Sequence, residues 1–111
     1  MIVKVPDGYA MAVLPAPHKI NFNLLKEVMA KKEIRLANEK EFKNIFPDCE
    51  VGAMPPFGNF YDLPVYVASA LSEDKEIVFN AGTHIDVIRM SYSDFEKLVN
   101  PIVANFSEPL D

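Results

Sequence analysis

Residues 84–101 read HIDVIRMSYSDFEKLVNP and give three structural instructions in a row. HIDVIRMS is rich in strand formers, after which Ser91 is spaced as a helix N-cap, with Asp94 at the third helical position. Met90 and Phe95 stand where a hydrophobic staple would close, and Pro101 terminates the helix. The stretch predicts a strand running through a side-chain cap into an amphipathic helix.

The same device occurs twice more upstream. In INFNLLKEVMAKK (20–32), Asn21 is the N-cap, Ile20 and Leu25 form the staple, and Leu24, Leu25, Val28 and Met29 make one apolar stripe. In NEKEFKNIF (38–46), Asn38 and Glu41 have capping-box spacing, Phe42, Ile45 and Phe46 share a face, and Pro47 stops the helix. MIVKV and YAMAVLPA flank the turn signal PDG and predict a hairpin. EIRLA (33–37), LPVYVASAL (63–71) and KEIVFNAG (75–82) read as further strands, with SEDK and AGT as turns. Strands with helices inserted between them predict an α/β (α+β) layer fold: a mixed, mostly antiparallel central sheet and about three helices, ending at Pro101.

A chain of 111 residues, half of them hydrophobic, can bury one core, so residues 1–111 are read as a single domain. No apolar run reaches bilayer length and no secretory signal pattern opens the chain, so no membrane partner is expected. The lone cysteine, Cys49, cannot form an internal disulfide, which fits a reducing compartment and a cytoplasmic location. The net charge of −5 conceals a split. Residues 1–45 hold eight basic groups against five acidic ones, a balance of +3, whereas residues 46–111 hold three against eleven, a balance of −8. Lys26, Lys31, Lys40 and Lys43 are either solvated helix faces or one basic side able to meet an RNA backbone.

Several chemistries lose their footholds. Neither a G-x-G-x-x-G unit nor a phosphate-binding G-x-x-x-x-G-K-[ST] loop occurs, and no cofactor is expected. His18, His84 and Cys49 lack the paired spacings of metal sites, so no metal is expected. No serine sits in a G-x-S-x-G elbow, and Cys49 lies between Asp48 and Glu50, whose charges weaken a thiolate nucleophile. His18 reads as a solvated loop residue, and Asp86 and Arg89 as strand-edge charges.

What remains are two glycine turns, GAMPPFG (52–58) and NAGTH (80–84), each able to aim backbone N–H groups outward. Together with YAMAVLPA, IRLA, LPVYV, IVFNAGTH and IRMSYSDFEKLVNP, in that order, they make the chain resemble the YbaK/prolyl-tRNA-synthetase-associated domain family of aminoacyl-tRNA editing deacylases, from about Val3 to Pro101. The G-x-x-x-P loop of Gly52 to Pro56 is the most specific piece. The resemblance implies a hydrolase that cleaves the ester between a wrong, small amino acid and the 3′ end of tRNA, without a metal. On this reading Gly52 and Ala53 present backbone donors to the ester carbonyl, and His84 positions water or the terminal ribose. Met54, Pro56, Phe57, Gly82 and Thr83 shape the substrate pocket. Pro55 and Pro56 cannot donate and only stiffen the turn. The competing reading of the loop is a rigid crossover packed inward, and of Gly82 and His84 a tight hairpin with a surface histidine.

The family usually carries a helical segment before the first hairpin and a pocket lysine at the start of its first strand. Alignment puts that lysine just ahead of Met1, and Lys4 lies at the far end of the strand. The chain is therefore expected to be N-terminally shortened, with exposed core that invites a homo-oligomer. An alternative function follows: a catalytically degenerate module that binds aminoacyl-tRNA ends or small aminoacyl compounds without cleaving them.

Overall fold

The computed structural model describes residues 1–50 and 55–110. β1 (Ile2–Val5) and β2 (Gly8–Val13) form the predicted hairpin, with Val5 opposite Gly8 and Pro6-Asp7 as the whole turn. On its outer side β1 pairs antiparallel with the short β4 (Arg35–Leu36). On the other side β2 runs parallel to β5 (Val65–Ala68), which runs parallel to β8 (Ile102–Ala104), giving the order β4-β1-β2-β5-β8. Two small antiparallel sheets complete the fold: β3 (His18–Ile20) with β9 (Ser107–Pro109), and β6 (Glu76–Asn80) with β7 (Val87–Ser91). Among the described residues, antiparallel pairings thus outnumber parallel ones, in a mixed α+β architecture as the sequence predicts.

The alternation of the strands divides the interior in two. Ile2, Met11, Val65 and Val67 face a core completed by Phe42, Phe46, Leu71, Ile77, Tyr92 and Phe95. The intervening positions Val3, Ala10, Ala12 and Ala68 face the opposite way, onto Ile20, Leu25 and Phe106. Helix α1 (Phe22–Met29) covers this second face through Leu25, while α2 (Glu39–Ile45) and α4 (Tyr92–Val99) cover the first through Phe42 and Phe95. Each large side chain so buried contributes roughly 1.5–3 kcal/mol of transfer free energy.

All three predicted caps form. Asn21 accepts from the Leu24 amide at 3.1 Å, and Ser91 accepts from the Asp94 amide at 3.2 Å. Asn38 and Glu41 make a reciprocal capping box at 2.9 and 3.0 Å. Both staple pairs fall within a core, Ile20 and Leu25 in one cluster and Met90 and Phe95 in the other.

The structure departs from the sequence reading in four places. LPVYVASAL is strand only to Ala68; residues Ser69–Ser72 form a short fourth helix, α3, starting where the strand leaves the sheet. β6 and β7 stand apart as their own hairpin rather than joining the central sheet. The fold continues past Pro101, because β8 supplies a sheet edge and β9 pairs with β3, and Phe106 between them is fully buried. His18 is consequently a half-buried strand residue, its Nδ1 2.9 Å from Ser107 Oγ, rather than a solvated loop side chain.

Candidate functional site

The β6–β7 connection is a self-bonded turn. The Ala81 amide donates to the Asp86 carbonyl at 2.8 Å, the Asp86 amide to Thr83 Oγ1 at 3.0 Å, and Thr83 Oγ1 to Asp86 Oδ2 at 2.5 Å. Asn80 Nδ2 donates to the Thr83 and His84 carbonyls at 3.3 and 3.4 Å. Gly82 has φ +95°, a conformation that side chains with a Cβ rarely adopt, so here the glycine is required by the backbone. The Thr83 hydroxyl is thereby engaged with Asp86, and His84 lies on the exposed side of the turn.

Glu50 ties this turn to the segment that enters the G-x-x-x-P loop. Its amide donates to the Gly82 carbonyl at 2.7 Å, and its Oε1 accepts from the His84 amide at 2.8 Å. Cys49 follows the same approach, its Sγ 3.8 Å from the position a Cβ on Gly82 would take. Thirty-odd residues of intervening chain therefore return Gly82, Thr83 and His84 to the entrance of the loop. Gly52, Ala53 and Met54 themselves lie outside the described residues.

On the loop's exit side Pro56 is buried and Phe57 half-buried. The Phe57 ring sits edge-on to Phe79 at 5.4 Å between centroids and tilted to Phe95 at 5.9 Å, so it joins the first core. Pro56 and Phe79 also line a cavity of about 630 Å³, together with Met11, Val78 and the 14–18 segment. Asp74, Glu76 and His18 add polar groups to its lining. Gly82, Thr83 and His84 are not among the residues lining this cavity. The predicted site residues thus fall into two groups: Pro56 beside the cavity, with Phe57 in the core against the cavity residue Phe79, and the 82–84 turn, held at Glu50.

Glu50 is the residue that sequence reasoning missed, since its role depends on a partner 34 positions away and no local pattern reports it. Asp86, set aside as an edge charge, proves to be the internal staple of the turn. Beyond this site, Glu41 is pulled down to about 2 by hydrogen bonds from Arg35, Tyr9 and the Asn38 amide. Among the described residues no cluster of three or more His, Cys, Asp or Glu side chains is placed to hold a metal ion, and no helix is long and apolar enough to cross a membrane.

Comparison with known proteins places this chain in a family. Residues 1–98 match the aminoacyl-tRNA editing domain, and the chain belongs to that family. A search among curated proteins finds no significant match. Among solved structures, a hypothetical protein, APE2540, superposes with a TM-score of 0.87 at 25% identity, covering 97% of this chain and 71% of the other. A protein described as a candidate trans-editing enzyme for prolyl tRNA synthetase superposes equally well, at 0.87 and 18% identity, covering 97% and 68%. A candidate signal transduction protein from Marinobacter aquaeolei VT8 has the same fold within 23% of its length, at a TM-score of 0.81 and 14% identity, covering 96% of this chain.

Proposed function

We propose that this editing-family chain acts as a single-domain aminoacyl-tRNA deacylase, working in the cytoplasm on tRNA carrying a mischarged small amino acid. The observation that carries the reading is the pair of Glu50 hydrogen bonds at 2.7 and 2.8 Å, which hold the Gly82–His84 turn against the entrance of the G-x-x-x-P loop. The fold shared with a protein described as a candidate trans-editing enzyme for prolyl tRNA synthetase is in keeping with a trans-editing role.

In this mechanism water adds to the ester carbonyl carbon and gives a tetrahedral oxyanion. Backbone N–H groups of Gly52 and Ala53 donate to that oxygen, and the intermediate then collapses. The bond to the ribose oxygen breaks, that oxygen takes up a proton, and free amino acid and tRNA leave. An aminoacyl ester is already activated, so oriented water and preorganised donors meet much of the demand; one such donor is worth about 10²–10³ in rate. His84 orients the water or the terminal ribose. Met54, Pro56, Phe57, Gly82 and Thr83 define the substrate pocket, and the adjoining cavity of about 630 Å³ falls in the size range of small-molecule sites.

The test incubates the purified chain with a panel of aminoacyl-tRNAs, following ester hydrolysis and filter retention in parallel. Turnover that is lost in Gly52→Pro, with an unchanged circular dichroism spectrum, supports the deacylase. Retention without turnover of any substrate refutes it and leaves the binding module.

A further inference from the structure

At the turn end of the β1–β2 hairpin, away from the cavity, a groove of about 470 Å³ gathers Lys4, Lys26, Lys32 and Arg35, with Glu33 as the acidic residue of its lining. Two of the cations are already held. The Lys4 ammonium donates to the Val5 and Gly8 carbonyls at 2.9 and 3.5 Å and lies 5.0 Å from the Tyr9 ring centroid, contacts that fix it without cancelling its charge. The Arg35 guanidinium makes a bidentate pair with Glu41 at 2.7 and 3.1 Å and is neutralised. Lys26, in the last turn of α1, and Lys32 have no ion-pair partner among the described residues. Three ammonium groups without an ion pair among the described residues therefore line one concave surface beside the carboxylate of Glu33, in a chain whose net charge is −5. Like charges so arranged repel one another, and an anion in the groove relieves that repulsion.

We propose that this groove docks the phosphate backbone of tRNA, an inference that rests on the deacylase reading for the identity of the nucleic acid. β1 connects the two regions: Met1 lines the cavity and Val5 lines the groove. At about 3.3 Å per strand residue they are separated by roughly 13 Å, the length of about four nucleotides at a rise of 3.4 Å. On the proposal, a single strand of about that length spans from the cavity to the lysines. Phosphate contacts of this kind position the nucleic acid and carry no base readout, which suits an enzyme that must accept the end of a tRNA whatever its sequence.

The test measures fluorescence anisotropy of labelled, uncharged tRNA with the full chain across a salt series. The double variant Lys26→Gln/Lys32→Gln removes two contacts, so the slope of log K against log salt becomes shallower by about 1.4–1.8. Affinity falls roughly 10- to 30-fold near 0.15 M salt, and the difference closes toward 1 M. Lys40→Gln/Lys43→Gln removes the same charge from α2, outside the groove, and leaves the slope near that of the parent. Equal losses in the two variants, or no loss in the first, overturn the groove as the site. So does a Lys26/Lys32-dependent affinity for phosphatidylserine vesicles with tRNA binding unaffected. Uncharged tRNA separates the two readings: groove-dependent binding without turnover of any aminoacyl-tRNA removes the deacylase alone, whereas turnover with groove-independent binding removes the groove alone.

Discussion

Gly58, the last residue of GAMPPFG, is needed for space, and Gly58→Ala tests this directly. A Cβ built there lies 2.9 Å from Val65 Cγ2, 3.2 Å from Met11 Cβ and 3.3 Å from Met11 Sδ. Met11 and Val65 are register partners in the parallel β2–β5 pair and are 1% and 6% exposed, so neither can step aside without moving the centre of the sheet. Overpacking of this kind costs about 1–3 kcal/mol, against which alanine returns about 0.4–1 kcal/mol by restricting the unfolded chain. The net loss is roughly 1–2 kcal/mol, which for a domain of this size lowers Tm by about 4–8 °C. Urea denaturation followed by circular dichroism, together with a thermal scan, reads both quantities. A variant with an unchanged or higher midpoint refutes the close approach of the loop exit to the sheet.

Three further outcomes follow from named contacts. Glu50→Ala removes the acceptor for the His84 amide and lowers deacylation by about 10- to 100-fold through misplacement of the turn, whereas Glu50→Gln keeps an acceptor and most of the rate; equal rates in Glu50→Ala and the parent refute the clamp. The Glu41 carboxyl sits at about 2 in the fold against 4.5 otherwise, so its stabilisation is complete above about 4.5 and is lost as pH falls toward 2. Urea midpoints from pH 6 to pH 2 fall more steeply for the parent than for Glu41→Gln, and parallel curves refute the assignment. Ser91→Ala removes the cap that receives the Asp94 amide and lowers stability by about 1 kcal/mol, read as a shift of the urea midpoint; an unchanged midpoint refutes the cap's contribution.

The parts of the fold legible in the sequence are those fixed by contacts a few residues apart. Asn21, Asn38 with Glu41, and Ser91 cap helices whose amide partners stand three positions on, and the PDG turn closes a hairpin whose strands are its neighbours. The parts that escaped depend on distant partners. β9 has only three residues and owes its existence to β3, nearly ninety positions earlier, and His18 changes from surface loop to half-buried strand for the same reason. The two glycines Gly58 and Gly82 look alike in sequence, yet one is dictated by a neighbouring strand and the other by its own φ. Both were visible as turn residues, but the difference between them required the tertiary contact. At the candidate site the turn at Gly82 was legible as a turn, whereas its tie to Glu50 was not, since nothing around Glu50 indicates a partner 34 residues away.

Part of the charge split of the sequence is carried into space. The acidic segment supplies Asp74 and Glu76 to the cavity lining, and the basic segment supplies Lys4, Lys26 and Lys32 to the groove at the other end of β1. A phosphate 4 Å from a carboxylate is disfavoured by about 1 kcal/mol per unit charge even in bulk water, and by about 4 kcal/mol where solvent is partly excluded. The same carboxylates attract an ammonium group by corresponding amounts. On the proposed function, these charges favour phosphates away from the cavity and an aminoacyl amine toward it. Reversing the polarity at the cavity with Asp74→Lys/Glu76→Lys tests this step: tRNA is expected to bind more tightly while ester hydrolysis falls as phosphates compete for the cavity. Hydrolysis that rises together with affinity would show that attraction of the backbone, rather than orientation, limits the reaction.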